Sequence, residues 1–393
     1  MKKLIAATIA LALSAQAIPA FAAGQDDDTA EEENGLTLSI IPRLDFSKMQ
    51  WKYGEETTNK FNSSSLGNTM LYTILDGNIT DNLSIYACFH LLDKETGWLY
   101  HNTFRSDECS WLDMFSLTYS LGNFDISLGK ENLAFGGFEQ DADICYPYLD
   151  LCSSSWHSIQ SFLWGGRLGY NLDDDNNVFL QCVASPMSEY PFQDKLFCAT
   201  LGWNGAVGND ETMWSFGVMR TGDEYKEYRN LWMLSLGDRY TAGDFTATFD
   251  INFRAFNPVT LFQEEMTSLL ELRYSFNIFD VFAKGGWEAS RADSFNYFGT
   301  TEINGGWNVP GTIVPQFIWS GRDYIFGGLG IECYPLADRS LRLHLVGAVN
   351  NYANDIFELG RIIADAPQYS GVKFGPALSI NAGITYTFDV NLK

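Results

Sequence analysis

The sequence predicts an all-β chain, a transmembrane antiparallel β-barrel of about 16 strands with its third outer loop folded inward. Three observations lead there. From Gly35 onward apolar and polar residues alternate, most plainly in Ala377–Phe388. Leu378, Ile380, Ala382, Ile384, Tyr386 and Phe388 fall on one face, and Ala377, Ser379, Asn381, Gly383, Thr385 and Thr387 on the other. A period of two is a strand with an oily and a polar face. Closing such strands into a cylinder hides every backbone edge, so the oily face can meet lipid and the polar face water. The second observation is composition: mean hydropathy is −0.11, aromatic residues make up 15%, and no apolar run beyond the N-terminus is long enough for a spanning helix. The third is that short and long connections take turns along the chain, as they do between the two rims of a barrel.

The N-terminus supplies an address. Lys2 and Lys3 precede the apolar stretch Leu4–Ala12, and Ala20-Phe21-Ala22 is a small-x-small cleavage site. Residues 1–22 therefore read as a secretory signal peptide, too short in its apolar part for a membrane anchor. Residues 23–34 carry Asp26-Asp27-Asp28 and Glu31-Glu32-Glu33. Such a charge run is expected to be a solvated, disordered linker rather than a calcium site. The barrel is expected over 35–393.

The expected strands are 35–47, 67–79, 82–93, 111–121, 123–131, 157–171, 176–185 and 196–204, then 212–220, 230–240, 244–255, 266–277, 279–289, 322–334, 339–349 and 375–389. Short turns fall at Asn78–Asn82, Gly122-Asn123, Asp173–Asp175, Ala242-Gly243, Asn277–Asp280 and Ala337–Arg339. Long connections fall at 48–66, 94–110, 132–156, 186–195, 221–229, 256–265, 290–321 and 350–374. Short periplasmic turns with long outer loops place both ends of the barrel chain in the periplasm. Pro310 and Pro315 argue against a regular central strand within 290–321. A β-sandwich would use shorter strands, and a β-propeller would show a repeat that is absent here.

The net charge is −24, and removing the two leader lysines leaves −26, which excludes nucleic acid as a natural partner. Seven cysteines in an exported chain cannot all pair with one another. Cys145 and Cys152 lie in one loop and form a candidate disulfide, while Cys182 and Cys198 flank a hairpin and form a second candidate. No spacing resembles a metal site, and no cofactor is expected.

A loop folded into a barrel narrows it, and 132–156 is the candidate. It carries Glu139, Asp141, Asp143 and Asp150, with Phe135, Phe138, Tyr146 and Tyr148 available to pack it against the wall. An acidic constriction repels anions and favours cations. Strand parity sends Arg43, Arg167, Arg239, Arg254, Arg273, Lys284 and Arg342 inward. It also sends Asp45, Asp125, Asp250, Glu271 and Glu288 inward. Such charges either set a transverse field across the channel or pair across strands and stiffen the wall. The four histidines, His90, His101, His157 and His344, are scattered, and no nucleophile elbow or phosphate-cradling glycine motif occurs. An enzyme is not expected.

The stretch Ile126–Glu139, ISLGKENLAFGGFE, resembles the strand-to-constriction-loop junction of the phosphate-selective porin O and P superfamily, in its general-porin-like, Bacteroidetes-type branch. Gly202-Trp203-Asn204-Gly205, Glu332-Cys333-Tyr334-Pro335 and the closing Ile384–Phe388 keep a similar spacing. The resemblance implies a channel of about sixteen strands, commonly a homotrimer, with the third outer loop inside. Phosphate selectivity in that family rests on a ladder of arginines and lysines. Here the loop is acidic and the inner bases are scattered among carboxylates, so phosphate is not carried over. A second departure is the tail that follows Phe388, beyond the aromatic-alternating signal read by the barrel-assembly machinery.

The expectation is therefore a porin of the bacterial cell outer membrane, surrounded by its lipids. It would pass small hydrophilic solutes or ions by passive diffusion, with a weak cation preference. The alternative is a non-conducting barrel that displays surface loops for adhesion or envelope structure.

Overall fold

Strand β1 (Leu36–Tyr53) is paired along both edges, and that double pairing closes the sheet. One edge takes β3 (Met70–Thr80) along Leu36–Arg43 and β2 (Asn59–Ser65) along Ser47–Tyr53. The other takes β18 (Phe388–Leu392) along Leu36–Ile40 and β17 (Phe374–Tyr386) along Arg43–Tyr53. Segments β2 and β3 together make one barrel strand, as do β17 and β18, so the 18-stranded sheet is a closed antiparallel barrel of sixteen. This computed structural model describes residues 35–53, 59–66, 69–91, 112–140, 148, 151–153, 162–185, 194–220, 230–290, 324–350 and 374–392.

Between those ends each strand pairs with the next in chain order. They are β4 (Leu83–Leu91), β5 (Leu112–Leu121), β6 (Phe124–Asn132), β7 (Phe162–Asn171), β8 (Asn176–Ala184), β9 (Phe197–Val207) and β10 (Asp210–Arg220). Then come β11 (Asn230–Ala242), β12 (Phe245–Ala255), β13 (Glu265–Phe276), β14 (Phe279–Ser290), β15 (Tyr324–Cys333) and β16 (Leu341–Asn350). All sixteen expected strands are present, and their ends move by a few residues.

Three boundaries differ from expectation for physical reasons. β1 runs on to Tyr53 and pairs with β2, so most of the 48–66 connection is ladder rather than loop. Val207 and Asp210 close a tight turn at Gly208-Asn209, so β9 is longer than its expected end at 204. The tail after Phe388 is also strand. It keeps the alternation, with Phe388, Val390 and Leu392 facing out, and it fills the edge of Leu36–Ile40 that would otherwise stand unpaired.

The outward face is predominantly oily. Leu128 is 62% exposed and Leu329 is 69% exposed, which in water would forfeit much of the roughly 1.5–3 kcal/mol that burying such a side chain contributes. Lipid removes that cost. Aromatic residues collect near the short turns: Phe124 meets Tyr170 at 4.9 Å, Trp203 meets Trp214 at 5.3 Å, and Tyr274 stacks on Phe276 at 6.2 Å. That is the girdle an outer-membrane barrel sets at a membrane interface.

The same register corrects the second cysteine pairing. Cys182 aligns with Ala199, and Cys198 aligns with Val183. Neighbouring residues on a strand point to opposite faces, so Cys182 faces outward and Cys198 is buried inside. Those two thiols cannot meet.

Candidate functional site

Residues that follow β6 turn into the barrel and cross its interior. The crossing starts where Gln181 on β8 uses its whole amide: its oxygen accepts from the Ala134 N–H at 3.0 Å and its nitrogen donates to the Asn132 carbonyl at 2.8 Å. The next anchor is a single 3-10 turn, Gly137–Glu139. The Asp250 carboxylate on β12 accepts the Phe138 N–H at 2.8 Å and the Glu139 N–H at 2.9 Å. This contact needs glycine on both sides. A Cβ on Gly137 would lie 2.1 Å from Asp250 Oδ1, and one on Gly237 of β11 would lie 2.6 Å from the same atom.

Further along, Glu139 accepts from Lys284 Nζ at 3.1 Å and from the Ser153 N–H at 3.0 Å. Tyr148 then reaches the far wall. Its hydroxyl donates to Glu332 Oε1 at 2.5 Å, and its ring stacks on Phe282 at 5.4 Å and meets His344 edge-on at 5.2 Å. Burial pushes the Tyr148 phenol well above its usual range, and the Glu332 carboxylate adds to that against the pull of Arg342, so it stays a hydrogen-bond donor. Leu151 finishes the crossing in an apolar pocket of Leu269, Phe282, Phe326, Val346 and Ala348.

A second apolar cluster holds the root of the loop. Leu133 and Phe135 pack on inward side chains of β7 to β11, among them Leu163, Val183, Met219 and Met233. Inner-wall positions are apolar where the root of the loop covers them. The simple rule of polar inside and oily outside gives way there, because a covered wall meets no water.

The expected wall charges divide into two groups. Along β12–β17 and β1 they are paired and mostly buried, Arg273 and Glu271 being half-buried. Arg43 pairs with Asp45 at 2.5 Å, and Arg254 with Glu265 at 3.2 Å. Arg273 binds Glu271 at 3.1 Å and Glu332 at 2.6 Å, while Arg342 reaches Glu332 at 3.4 Å. Glu288 is fully buried. The Glu332 centre extends to the short-turn rim, where Arg339 binds Asp280 at 2.5 Å. There burial and the Glu332 carboxylate push the Tyr334 phenol up to about 12.

Along β5–β10 the lumen stays open. A cavity of about 460 Å³ lies between the loop root and this wall. Its charges are few and held locally: Asp125 accepts from Ser120 at 2.6 Å and from Asn171 at 2.8 Å. Arg167 donates to Asn177 at 3.3 Å and lies 3.7 Å over the Phe179 ring. Below it a second space of about 320 Å³ shares Asn177 and Asn204 with the first and opens past Asp173–Asp175 and Glu211 at the short-turn rim. Glu211 pairs with Arg239 at 3.3 Å, and the Arg239 guanidinium lies 4.0 Å over Phe138 of the loop.

Of the expected constriction set, Glu139 is placed on Lys284, and Asp141, Asp143 and Asp150 lie outside the described residues. So does Cys145. Its candidate partner Cys152 is buried, with its thiol 3.5 Å from the Tyr148 carbonyl. Residues 1–34 and Tyr146 also fall outside the description. Sequence reasoning missed Glu332, the acceptor shared by Tyr148, Arg273 and Arg342, and Gln181, which holds the loop root. Both sit on inward-facing parity, which was a usable signal. Among the described residues no group of side chains could hold a metal ion.

The chain matches no protein-family model, and no curated protein matches it. Among solved structures it is similar to the anion-selective porin from Comamonas acidovorans, at 9% identity and a TM-score of 0.54, covering 91% of this chain and 100% of that one. It is also similar to the outer membrane channel DcaP of Acinetobacter baumannii, at 10% identity and 0.53, covering 93% and 100%. OmpTdeltaL8, a loop-deletion mutant of an outer membrane protein of Vibrio cholerae, gives 11% identity and 0.51, covering 90% and 99%. At such identities the similarity is one of fold, that of an outer-membrane porin barrel. The resemblance of Ile126–Glu139 to the phosphate-selective superfamily is thereby narrowed to a general porin fold.

Proposed function

We propose that this barrel is an outer-membrane diffusion channel for small hydrophilic solutes, exported by its 1–22 leader, with a weak preference for cations. One observation carries the reading. Among the described residues the loop root covers one patch of the β7–β11 wall and the loop then packs toward β12–β17, which leaves a polar space beside β5–β10 that opens at the short-turn rim. A display barrel has no use for such a space. The cation preference is supported by Asp173, Asp174 and Asp175 at the exit, where among the described residues only Glu211 is ion-paired with a base.

Planar-bilayer recording tests both parts. Purified protein should insert as stepwise, ion-conducting units, and the reversal potential in a salt gradient should favour the cation slightly. A barrel that inserts without conducting would favour the loop-display alternative. An anion-preferring channel would leave diffusion standing and remove the cation preference.

A further inference from the structure

We infer that the open side of the lumen is a binding slot for a neutral polyhydroxylated solute, a saccharide of two or three rings. This rests on the channel reading above and specifies what the channel takes. The slot's chemistry is the first support. Apart from two acids and two bases, its polar lining is hydroxyl and carboxamide, from Ser116, Thr118 and Ser127 on one side to Asn171, Asn177 and Asn204 on the other. Hydroxyls and carboxamides both donate and accept, which is what a ring of hydroxyl groups requires of its surroundings.

The second support is the state of the charges. Asp125 and Glu131 balance Lys130 and Arg167, so the slot has no net charge. Each is also engaged locally. Asp125 is bonded to Ser120 and Asn171, and Glu131 to Gln181 and Ser127. Arg167 is held by Asn177 and the Phe179 ring, and Lys130 donates to the Leu112 carbonyl at 2.5 Å. An ion selected here would have to displace those partners, whereas a neutral solute need only add bonds to unused lone pairs and protons.

Two lining carboxamides keep an unused acceptor, each oxygen buried in the wall as the side chains stand. The side-chain oxygens of Asn132 and Asn204 accept no hydrogen bond among the described residues. The amide of Asn132 is fixed by its donation to the Gln140 carbonyl at 2.7 Å. A volume of about 460 Å³ is in the range of small-molecule sites rather than of an ion path.

The test is single-channel recording with raffinose, a neutral trisaccharide, against citrate and lysine as charged probes. Raffinose should interrupt the ionic current in brief, concentration-dependent closures, and the charged probes should not. The double variant Thr118→Val with Asn204→Leu should weaken raffinose closure by roughly tenfold, the loss expected from removing one or two hydrogen-bonding groups. Its heat-dependent migration on detergent gels should match that of the unsubstituted protein, which shows that the variant folded. A barrel that never conducts overturns the channel reading and this inference together. A conducting channel that raffinose does not interrupt, or that citrate or lysine interrupts as strongly, overturns the solute class alone.

Discussion

The two sides of the lumen use the same kinds of residue to opposite ends. Along β12–β17 the basic and acidic side chains are mostly buried, packed under the inner loop and tied to one another, with Glu332 holding Arg273, Arg342 and Tyr148 at once. Along β5–β10 the wall is hydroxyl and carboxamide, charges are few, and open space of about 460 Å³ remains. Charge in a pore is therefore no sign of a selectivity filter by itself. Where a loop covers it, charge becomes mortar, and the open side is the one with the fewest charges.

The contrast depends on the loop staying docked, so the largest effect should come from undocking it. Gly237→Val sets a side chain where a Cβ alone would be 2.6 Å from Asp250 Oδ1 and 3.1 Å from Gly137 Cα. It should break both N–H bonds to Asp250, each worth about 1 kcal/mol. Single-channel conductance should rise well above that of the parent, because the β11–β17 side opens to water. Asp250→Asn keeps an acceptor and should raise conductance less. Unchanged conductance in Gly237→Val would mean that the loop does not limit the channel.

The next effect is on stability. Glu332→Ala leaves the buried Arg342 guanidinium, the half-buried Arg273 guanidinium and the Tyr148 hydroxyl without their common acceptor, a loss of roughly 3–5 kcal/mol by analogy with breaking one partner of a buried pair. The temperature at which the folded barrel converts to its slower-migrating unfolded form on detergent gels should drop clearly. Glu332→Gln, which keeps a hydrogen-bonding oxygen, should drop it less. Because Glu332 sits away from the open slot, raffinose closure should survive in any Glu332→Gln channel that folds. Losing closure and stability together would join the two sides into one functional unit.

Much of this was legible in the chain and some was not, for reasons that differ by residue. Strands show because period two is local: Phe245, Ala247, Phe249, Ile251 and Phe253 against Thr246, Thr248, Asp250, Asn252 and Arg254 need no knowledge of neighbours. The loop's inward fold was legible from Phe135, Phe138 and Tyr148, which have no reason to stand in water. Its footprint was also written in the sequence. Leu163, Val183, Met219, Leu231 and Met233 are oily residues at inward parity, and they mark the wall the loop root covers. The ion-pair centre was not legible. Arg273 and Glu332 are 59 residues apart and Tyr148 and Glu332 are 184 apart, so their meeting depends on register across several strands. The roles of Asp45 and Asp250 were hidden similarly. Parity turned them inward, but only tertiary contacts joined Asp45 to Asn381 and His344 and made Asp250 the acceptor for two loop N–H groups.

The smallest effect tests the exit of the open side. Asp174 and Asp175 are exposed there, whereas Asp173 is committed to its own turn, accepting from the Asp175 N–H at 3.0 Å and from Asn176 at 2.7 Å. Asp174→Asn with Asp175→Asn therefore removes two charges and spares the turn. Each is solvated, so its field reaches only about 10 Å at 0.1 M salt and about 3 Å at 1 M. The reversal potential should move toward zero by a few millivolts in dilute salt and not at all in concentrated salt, with stability unchanged. Adding Glu211→Gln should shift it further, because Arg239 then loses an exposed partner at 3.3 Å and faces the path as a bare cation. A shift that persisted at 1 M would mean that the exit narrows enough to exclude its counterions and acts as a true filter rather than a solvated charged rim.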